Sequence, residues 1–225
     1  MSDNVGLRDR LVYRTRAKRQ NHSLYRRYGK RLFDVLFVVV ISPLILPATA
    51  FLAFMVHLDG GKSIFAHSRV GKGGREFKCY KIRTMIPDAD NRLEEFLAEN
   101  PDARAEWEQD FKLKDDPRIT RIGRILRMTS LDELPQFLNV LRGDMSVVGP
   151  RPVTVDEHPR YGDGLPLLLS VRPGITGPWQ VYGRNETLYN ERVDLDLCYC
   201  KGYSFGTDFR LILRTVGAVI KRTGV

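Results

Sequence analysis

The chain has few residues that could form a disulfide framework, a zinc site or a histidine-based catalytic centre. Its 225 residues include three cysteines, Cys79, Cys198 and Cys200, with no CxxC pair and no Cys/His cluster. An odd number of unclustered cysteines favours a reducing, cytosolic compartment. The four histidines are scattered along the chain, so we take none of them as a catalytic base.

The chain also lacks a complete P-loop. Gly60-Gly61-Lys62-Ser63 matches the end of that motif, but the pattern requires a glycine at position 56, where the chain has Val56. A glycine-rich kinase signature is absent as well. These absences count against a nucleotide-dependent kinase.

Basic residues outnumber acidic ones, and the formal net charge is +9. This balance favours anionic partners such as nucleic acid, lipid head groups or phosphorylated substrates. Residues 1–31 contain ten Lys/Arg and only two acids. Such a segment is typical of a nucleic-acid-binding arm or of a basic segment beside a membrane.

The next segment decides in favour of the membrane. Val35 to Val56 contains no charged residue and is long enough to span a bilayer. We therefore expect membrane lipids, and no nucleic acid, as partners. Pro43 and Pro47 lie inside it, which predicts a strong kink near Ser42, whose hydroxyl could satisfy a carbonyl that proline leaves free.

The flanks of the apolar segment predict its path. Ten basic residues precede it and seven follow it between positions 62 and 83. The positive-inside rule then places both ends in the cytoplasm, which one straight span cannot do. We predict a re-entrant helical hairpin over 32–58, between a basic segment at 1–31 and a cytosolic domain at 59–225. A straight span, a cleaved signal peptide and a buried core helix are the alternatives.

The rest of the chain predicts a small mixed α+β domain. Residues 64–70 and 76–82 alternate as two strands, with a glycine-rich turn between them. Residues 87–113 form an acidic amphipathic pattern that Pro101 divides into two helices. Residues 205–222 form a basic amphipathic helix, which either lies in the membrane interface or packs on the protein's own core.

Two adjacent carboxylates, Asp132 and Glu133, follow this acidic region. Ser130 with Glu133 matches a capping box, and Leu131, Leu134, Leu138 and Leu141 recur at helical spacing up to Gly143. A helix that starts at Ser130 would direct its N-terminal N–H groups at an anion. Helix capping is the structural interpretation of the pair, and a catalytic or metal-binding pair is the functional one.

Several cations accompany the carboxylates. Arg127 lies just before them, Lys81 and Arg83 occupy alternate positions at the end of the second strand, and Arg151 lies in the Gly149-Pro150-Arg151-Pro152 turn. A glycine-rich loop, 172–185, contains arginines and aromatic side chains that could approach a ligand closely. Carboxylates beside phosphate-binding cations indicate either Mg²⁺ coordination or nucleophilic attack on phosphorus.

Six ordered blocks carry a resemblance to a known family. They are Lys30-Arg31-Leu-Phe-Asp34, Ser42-Pro43, Lys81-Ile-Arg83-Thr-Met, Ser130-Leu-Asp132-Glu133-Leu, Gly143-Asp-Met-Ser-Val-Val-Gly-Pro-Arg151-Pro and Arg172-Pro-Gly-Ile-Thr-Gly. From Lys30 onward the chain resembles the bacterial sugar transferases, the monotopic polyprenyl-phosphate hexose-1-phosphate (phosphoglycosyl) transferases. Its length is similar to that of the minimal exopolysaccharide members.

The resemblance implies a reaction. Asp132 would attack the β-phosphorus of a UDP-sugar, UDP-galactose or UDP-glucose, to give UMP and a phosphosugar-aspartyl intermediate. Undecaprenyl phosphate would then accept the sugar-1-phosphate. Glu133 would help to hold Mg²⁺, with Asp132, or would handle the acceptor's proton.

The resemblance also implies roles for the remaining site residues and a location. The expected phosphate-binding residues are Arg127, Lys81, Arg83 and Arg151, and the expected nucleotide- or sugar-binding residues are Arg172, Gln180 and Arg184. Ser42 and Pro43 match the family's helix break. The expected location is the cytoplasmic face of the bacterial inner membrane, with a monotopic chain.

Some alternatives stay open at this point. A non-enzymatic, membrane-anchored module that binds anions or lipids would need Asp132 and Glu133 only as a helix cap. The sequence does not distinguish among donor sugars or glycan pathways, nor between a monomer and a homodimer.

Overall fold

The computed structural model describes residues 24–110, 113, 115–182 and 189–220, and these residues form a mixed, mostly helical fold. A π-helical turn, Tyr25–Gly29, precedes the first α-helix. The helices are α1 Lys30–Leu58, α2 Ala89–Glu99, α3 Pro101–Asp110, α4 Arg121–Thr129, α5 Gln136–Arg142, α6 Leu165–Leu168, α7 Pro178–Tyr182, α8 Tyr189–Lys201 and α9 Phe205–Ile220. The strands are β1 Ile64–Val70, β2 Glu76–Ile82, β3 Ser146–Val148 and β4 Gly174–Thr176.

Strands β1 and β2 form the antiparallel hairpin that the sequence predicts. The register pairs Ile64 with Ile82 and Val70 with Glu76. Gly73 and Gly74 of the connecting turn have positive φ angles of 72° and 77°, a conformation that favours glycine. The structure therefore confirms both strands with the predicted bounds, and it confirms the glycine-rich turn between them.

Strands β3 and β4 form a second, parallel pair in which Ser146 aligns with Gly174. The connection between them holds 3₁₀ turns at Val155–Gly164 and helix α6. Just beyond β3, Gly149 lies so close to Gly174 that a Cβ atom on either would collide with the other's backbone. The close approach explains why glycine occupies both positions.

Helix α1 is continuous over 29 residues and contains both prolines. At about 1.5 Å per residue it is longer than the hydrocarbon core of a bilayer, which is about 30 Å thick. The Ser42 hydroxyl donates to the Val39 carbonyl at 2.8 Å, the carbonyl that Pro43 cannot bond. That part of the prediction is confirmed, whereas the predicted interruption of the helix at Ser42-Pro43 is not seen, and the re-entrant path stays a prediction.

Both ends of α1 contact the rest of the domain, and its middle does not. Val38 packs in the main core, and Val56 packs with Ile82 and Leu126. Between these ends the helix exposes its apolar side chains, as in Leu44, which is 77% exposed. Among the described residues, this is the one helix long and apolar enough to cross a membrane.

The C-terminal helix α9 combines the two predicted environments. Leu211 is buried in the main core and Ile212 packs against it. Phe209, Leu213 and Val216 are about half exposed. One side of the helix therefore packs on the domain, and the other presents an apolar surface outward.

The acidic segment forms α2 and α3, divided at Pro101 as predicted. Asp88 lies at the N-cap of α2, although its side chain makes no capping hydrogen bond. The described side chains of these two helices contribute nothing to the core clusters.

A buried ionic cluster joins α1 to the domain. The Lys30 ammonium lies 2.7 Å from Asp208 of α9 and 3.5 Å from Asp34. Asp34 is fully buried and accepts hydrogen bonds from the Ser146 hydroxyl and the Val147 amide. The cluster thus fixes the start of α1 against both β3 and α9.

We expect Lys30→Met to destabilise the fold by roughly 3 kcal/mol, because it leaves buried carboxylates without their cation. Thermal unfolding of the detergent-solubilised protein measures the change. Lys72→Met, at an exposed position of the hairpin turn, is the control. Equal unfolding temperatures for the two variants would contradict a stabilising role for Lys30.

Candidate active site

The adjacent carboxylates lie on a short 3₁₀ turn, Leu131–Glu133, between α4 and α5. Ser130, just before them, ends α4 in the left-handed region at φ 57° and makes no side-chain capping bond. The predicted capping box at Ser130 is therefore wrong. The sharp reversal after α4, rather than a helix N-terminus, presents Asp132 and Glu133.

Helix α5 turns a different face to the core from the one that its leucines predict. Leu138 and Leu141 are 46% and 43% exposed, whereas Asn139 and Val140 are fully buried. The Asn139 side chain accepts from the Tyr80 amide and donates to the Lys78 carbonyl. These bonds to β2 fix the rotation of α5, and Gly143 ends the helix in the left-handed region as predicted.

Lys81 of β2 bridges the two carboxylates. Its ammonium is 2.7 Å from Glu133 Oε1 and 3.4 Å from Asp132 Oδ2. The side chains of Asp132, Glu133 and Lys81 are 11%, 23% and 31% exposed. One cation therefore holds both acids in a partly buried position that a ligand can still reach.

The surroundings move the pKa values of the two acids in opposite directions. Burial raises the pKa of Asp132, and the neighbouring Glu133 charge adds to this effect against Lys81 and Arg127. Burial alone would also raise the pKa of Glu133, but Lys81, Arg151 and a hydrogen bond with Gln136 together lower it. Glu133 is thus the acid that stays ionised more firmly, and Asp132 is the more basic carboxylate.

The two carboxylates also determine the protonation state of Lys81. Burial would lower the pKa of its ammonium, but Glu133 and Asp132 raise it. Lys81 is therefore a permanent cation at neutral pH.

Arg127 approaches the pair from the last turn of α4. Its Nε donates to the Thr84 hydroxyl at 2.9 Å, and its charge favours the ionised form of Asp132. Arg127 therefore combines a structural bond to the end of the hairpin with an electrostatic effect on Asp132.

A cleft extends from the carboxylates between the hairpin, α5 and the loops around β4. Its charged and amide-bearing lining comprises Arg69, Lys81, Glu133, Gln136, Arg151 and Gln180. The Arg151 guanidinium lies 5.0 Å from the centre of the Trp179 ring. The structure thus brings Lys81, Arg151 and Gln180 of the predicted site together with the acids.

Arg83 is directed away from this cleft. Its guanidinium donates to the carbonyls of Val56, Gly60, Lys62 and Met85. Strand β2 ends at Ile82, so Arg83 does not continue the face that presents Lys81. The structure uses most of its donors to hold the end of α1.

Arg172 is also not brought to the carboxylates. Its Nε donates to the Gly143 carbonyl at 2.7 Å, at the opposite end of α5 from Asp132 and Glu133. Arg184 lies outside the described residues.

The residues present fit Mg²⁺ when it is bound together with a phosphate. Among the described residues, no cluster of three or more His, Cys, Asp or Glu side chains could hold a metal by itself. Mg²⁺ commonly binds through one or two carboxylates and completes its shell with phosphate oxygens and water. Asp132 and Glu133 are such a pair.

Sequence reasoning missed Arg69 and Gln136 as lining residues. The signal for Arg69 was available in the hairpin register, which places it opposite Phe77 and therefore on the same face as Cys79 and Lys81. Gln136 carried no comparable signal, because its orientation depends on how α5 packs.

Comparisons with known proteins agree with the family resemblance that the six sequence blocks carry. The profile of the family described as bacterial sugar transferase matches residues 25–222. The chain is 51% identical over 198 residues to a UDP-galactose-lipid carrier transferase of Erwinia amylovora, covering 88% of this chain and 42% of the relative. It is 48% identical to the undecaprenyl-phosphate galactose phosphotransferase of Salmonella typhimurium, with the same coverages of 88% and 42%.

A third relative has a similar length. The exopolysaccharide production protein ExoY of Rhizobium meliloti is 46% identical over 200 residues, which cover 87% of each chain. The chain therefore spans about two-fifths of the first two relatives and most of the third.

We expect Lys81→Met to raise the pKa values of both Asp132 and Glu133, because removal of a nearby cation disfavours the ionised carboxylates. Carbon-13 NMR of carboxyl-labelled Asp and Glu would follow the titrations. Lys78→Met is the matched control on the opposite face of β2. Unchanged titration curves in Lys81→Met would contradict the bridging role.

Proposed function

The chain belongs to the bacterial sugar transferase family, and on this premise we propose that it transfers a sugar-1-phosphate from a UDP-sugar to undecaprenyl phosphate, releasing UMP. The observation that carries the proposal is the pair Asp132 and Glu133, held by Lys81 at the end of a cleft lined with arginines. Cations there suit the phosphates of a nucleotide donor, and the paired acids supply a nucleophile.

In the first step Asp132 acts as the nucleophile. A carboxylate oxygen forms a bond to the β-phosphorus of the donor, the bond from that phosphorus to the bridging oxygen breaks, and the electron pair leaves with UMP. The raised pKa of Asp132 supports this choice, because a more basic oxygen is a stronger nucleophile when ionised. The product is a phosphosugar-aspartyl intermediate.

Glu133 has a different role in this proposal. Its lowered pKa keeps it ionised, which suits a charge that holds cations near the diphosphate. Bound Mg²⁺ would neutralise the diphosphate, with Asp132 and Glu133 as its protein ligands. Lys81 neutralises the acids, and Arg127 and Arg151 offer donors to phosphate oxygens.

In the second step the phosphate of undecaprenyl phosphate attacks the same phosphorus. A new anhydride bond forms, the bond to Asp132 breaks, and the carboxylate is regenerated. The lipid must reach the acids from the membrane surface. Exposed apolar side chains lie on both helices beside the acids, Ile125 on α4 and Leu138 on α5, which supports placing this edge at the interface.

The position of α1 supports a monotopic chain on the cytoplasmic face of the bacterial inner membrane. Asp34 and Val56 lie near opposite ends of the helix, yet both contact the same domain. A helix that crossed the bilayer would carry one of these ends to the other side. A bend of the continuous helix at Pro43 would let the exposed apolar middle of α1 enter the lipid and return.

Galactose is the sugar best supported for the donor. Two of the relatives bear names that specify galactose, and glucose is the other donor that we expect. The name of the third relative supports a role in exopolysaccharide production, in which the proposed transfer to a lipid phosphate would be the first membrane step.

We expect the detergent-solubilised protein, with Mg²⁺ and undecaprenyl phosphate, to release UMP from UDP-galactose or UDP-glucose. Asp132→Asn should lower the rate on the order of a thousandfold or more, because the neutral amide is a poor nucleophile. A coupled assay of UMP across a panel of UDP-sugars measures both effects.

Asp115→Asn, an exposed aspartate, is the control and should retain the wild-type rate. UMP release that survives in Asp132→Asn would exclude Asp132 as the nucleophile. No UMP from any donor in the folded protein would support the non-enzymatic anion- or lipid-binding module instead.

The re-entrant path predicts that both flanks of α1 are accessible from the cytoplasm. Single cysteines that replace Arg27 or Lys62, both exposed, should react with a membrane-impermeant thiol reagent only after the spheroplasts are lysed. Reaction of one of the two cysteines in intact spheroplasts, without reaction of the other, would instead demonstrate a straight span.

A further inference from the structure

Arg69 lines the cleft but has no part in the chemistry proposed above. It lies near the end of β1, on the face of the hairpin that also carries Cys79 and Lys81. Its side chain is about one-fifth exposed. A charged side chain in this position needs either a structural partner or a ligand.

Glu157 pairs with Arg69 but does not occupy all of the hydrogen-bond donors of the Arg69 guanidinium. One terminal nitrogen of Arg69 lies 3.2 Å from Glu157 Oε1 and 3.5 Å from the Pro152 carbonyl. Among the described residues, its Nε and its other terminal nitrogen have no hydrogen-bond partner. The guanidinium is therefore anchored at one edge and open at the other.

Glu157 does not depend on Arg69 alone. It pairs with Arg192 at 3.0 Å and accepts from the Tyr189 hydroxyl at 2.7 Å and the Thr154 amide at 3.0 Å. Arg192 leads this set in lowering the pKa of Glu157 despite its burial. The Glu157 carboxylate is thus an anion held in place by partners other than Arg69, and it can serve to position Arg69.

Arg151 places a second guanidinium in the same cleft. Its side chain contacts the Trp179 ring, and no described residue accepts a hydrogen bond from it. Burial, followed by the charge of Arg151, lowers the pKa of Arg69. Arg69 and Arg151 line the same cleft, and two cations with open donors in one cleft form a binding site for an anion.

Arg69 lies farther along the hairpin from the acids than Lys81 does. The charge of Lys81 is already matched by Asp132 and Glu133, whereas Arg69 aligns with Phe77, four positions before Lys81 on β2. At about 3.3 Å per residue, the two positions are separated by roughly 13 Å along the strand. In an in-line displacement on phosphorus, the leaving group departs on the side away from the nucleophile.

We propose that Arg69, together with Arg151, forms the subsite for the phosphate of the departing nucleoside monophosphate. The inference rests on the proposed function, because that function supplies the nucleotide. The open edge of the Arg69 guanidinium binds the α-phosphate in the donor and the same phosphate in UMP. Glu157 and Trp179 position the two arginines and do not touch the ligand.

Calorimetric titration of the full chain in detergent, with Mg²⁺, tests the subsite with UMP and uridine as probes. Arg69→Met should weaken UMP binding by about tenfold to a hundredfold, as the loss of charged hydrogen bonds predicts, and should leave uridine binding unchanged. Arg69→Lys keeps a cation beside Glu157 but loses the planar fork, so it should give an intermediate affinity with a wild-type unfolding temperature. Arg75→Met, an exposed arginine of the same hairpin, should bind UMP as the wild type does.

The outcomes separate this inference from the proposed function. If Arg69→Met binds UMP with the same affinity as the wild type, the subsite is overturned and the transferase proposal stays intact. An equal loss of uridine and UMP binding would place Arg69 at the nucleoside or in the fold, which also overturns the subsite. A wild-type protein that binds no UMP would overturn both.

Discussion

The contact of the Lys81 ammonium with Asp132 and Glu133 is the interaction on which the site depends. Adjacent carboxylates in a partly buried position repel each other, and burial penalises both charges. Lys81 offsets both effects, and it lies closer to Glu133 than to Asp132. The unequal sharing separates the two acids into one that is firmly ionised and one that is more basic, as the two proposed roles require.

The same strand connects this contact to helix α1. Lys81 projects from one face of β2, while Ile82 projects from the other and packs with Val56 at the end of α1. Arg83 follows at once and donates to the Val56 carbonyl. At the other end of α1, Lys30 ties the helix to α9. The contacts at both ends of α1 therefore fix the position of the carboxylates relative to this helix, which suits the proposed reaction between a soluble nucleotide and a lipid phosphate.

Local signals allowed much of the fold to be predicted, and contacts between distant segments explain the rest. The hairpin and the division at Pro101 follow from strand alternation and from turn or helix-breaking residues. The 3₁₀ turn that carries Asp132 and Glu133 could not be predicted in this way. Ser130 and Glu133 match a capping box in sequence, but in the structure Ser130 ends α4 in the left-handed region. The leucines of α5 indicated the wrong core face, because the hydrogen bonds of Asn139 to β2 fix the helix and leave Leu138 outward. Arg172 lies in the predicted loop but bonds to the Gly143 carbonyl, a partner that no spacing rule identifies.

The distribution of charge along the cleft follows the order of the proposed reaction. Near the acids Lys81 is already neutralised, so a donor phosphate gains little attraction from it alone, and additional positive charge must come with the donor or from Arg127. Arg69, farther along the hairpin, and Arg151 keep open donors, and they are supported by Glu157 and Trp179. Positive charge is therefore most available where a nucleotide leaving group would carry its charge, and least available where the nucleophile must remain basic. A cleft of uniform positive charge would lower the basicity of Asp132 and lose this distinction.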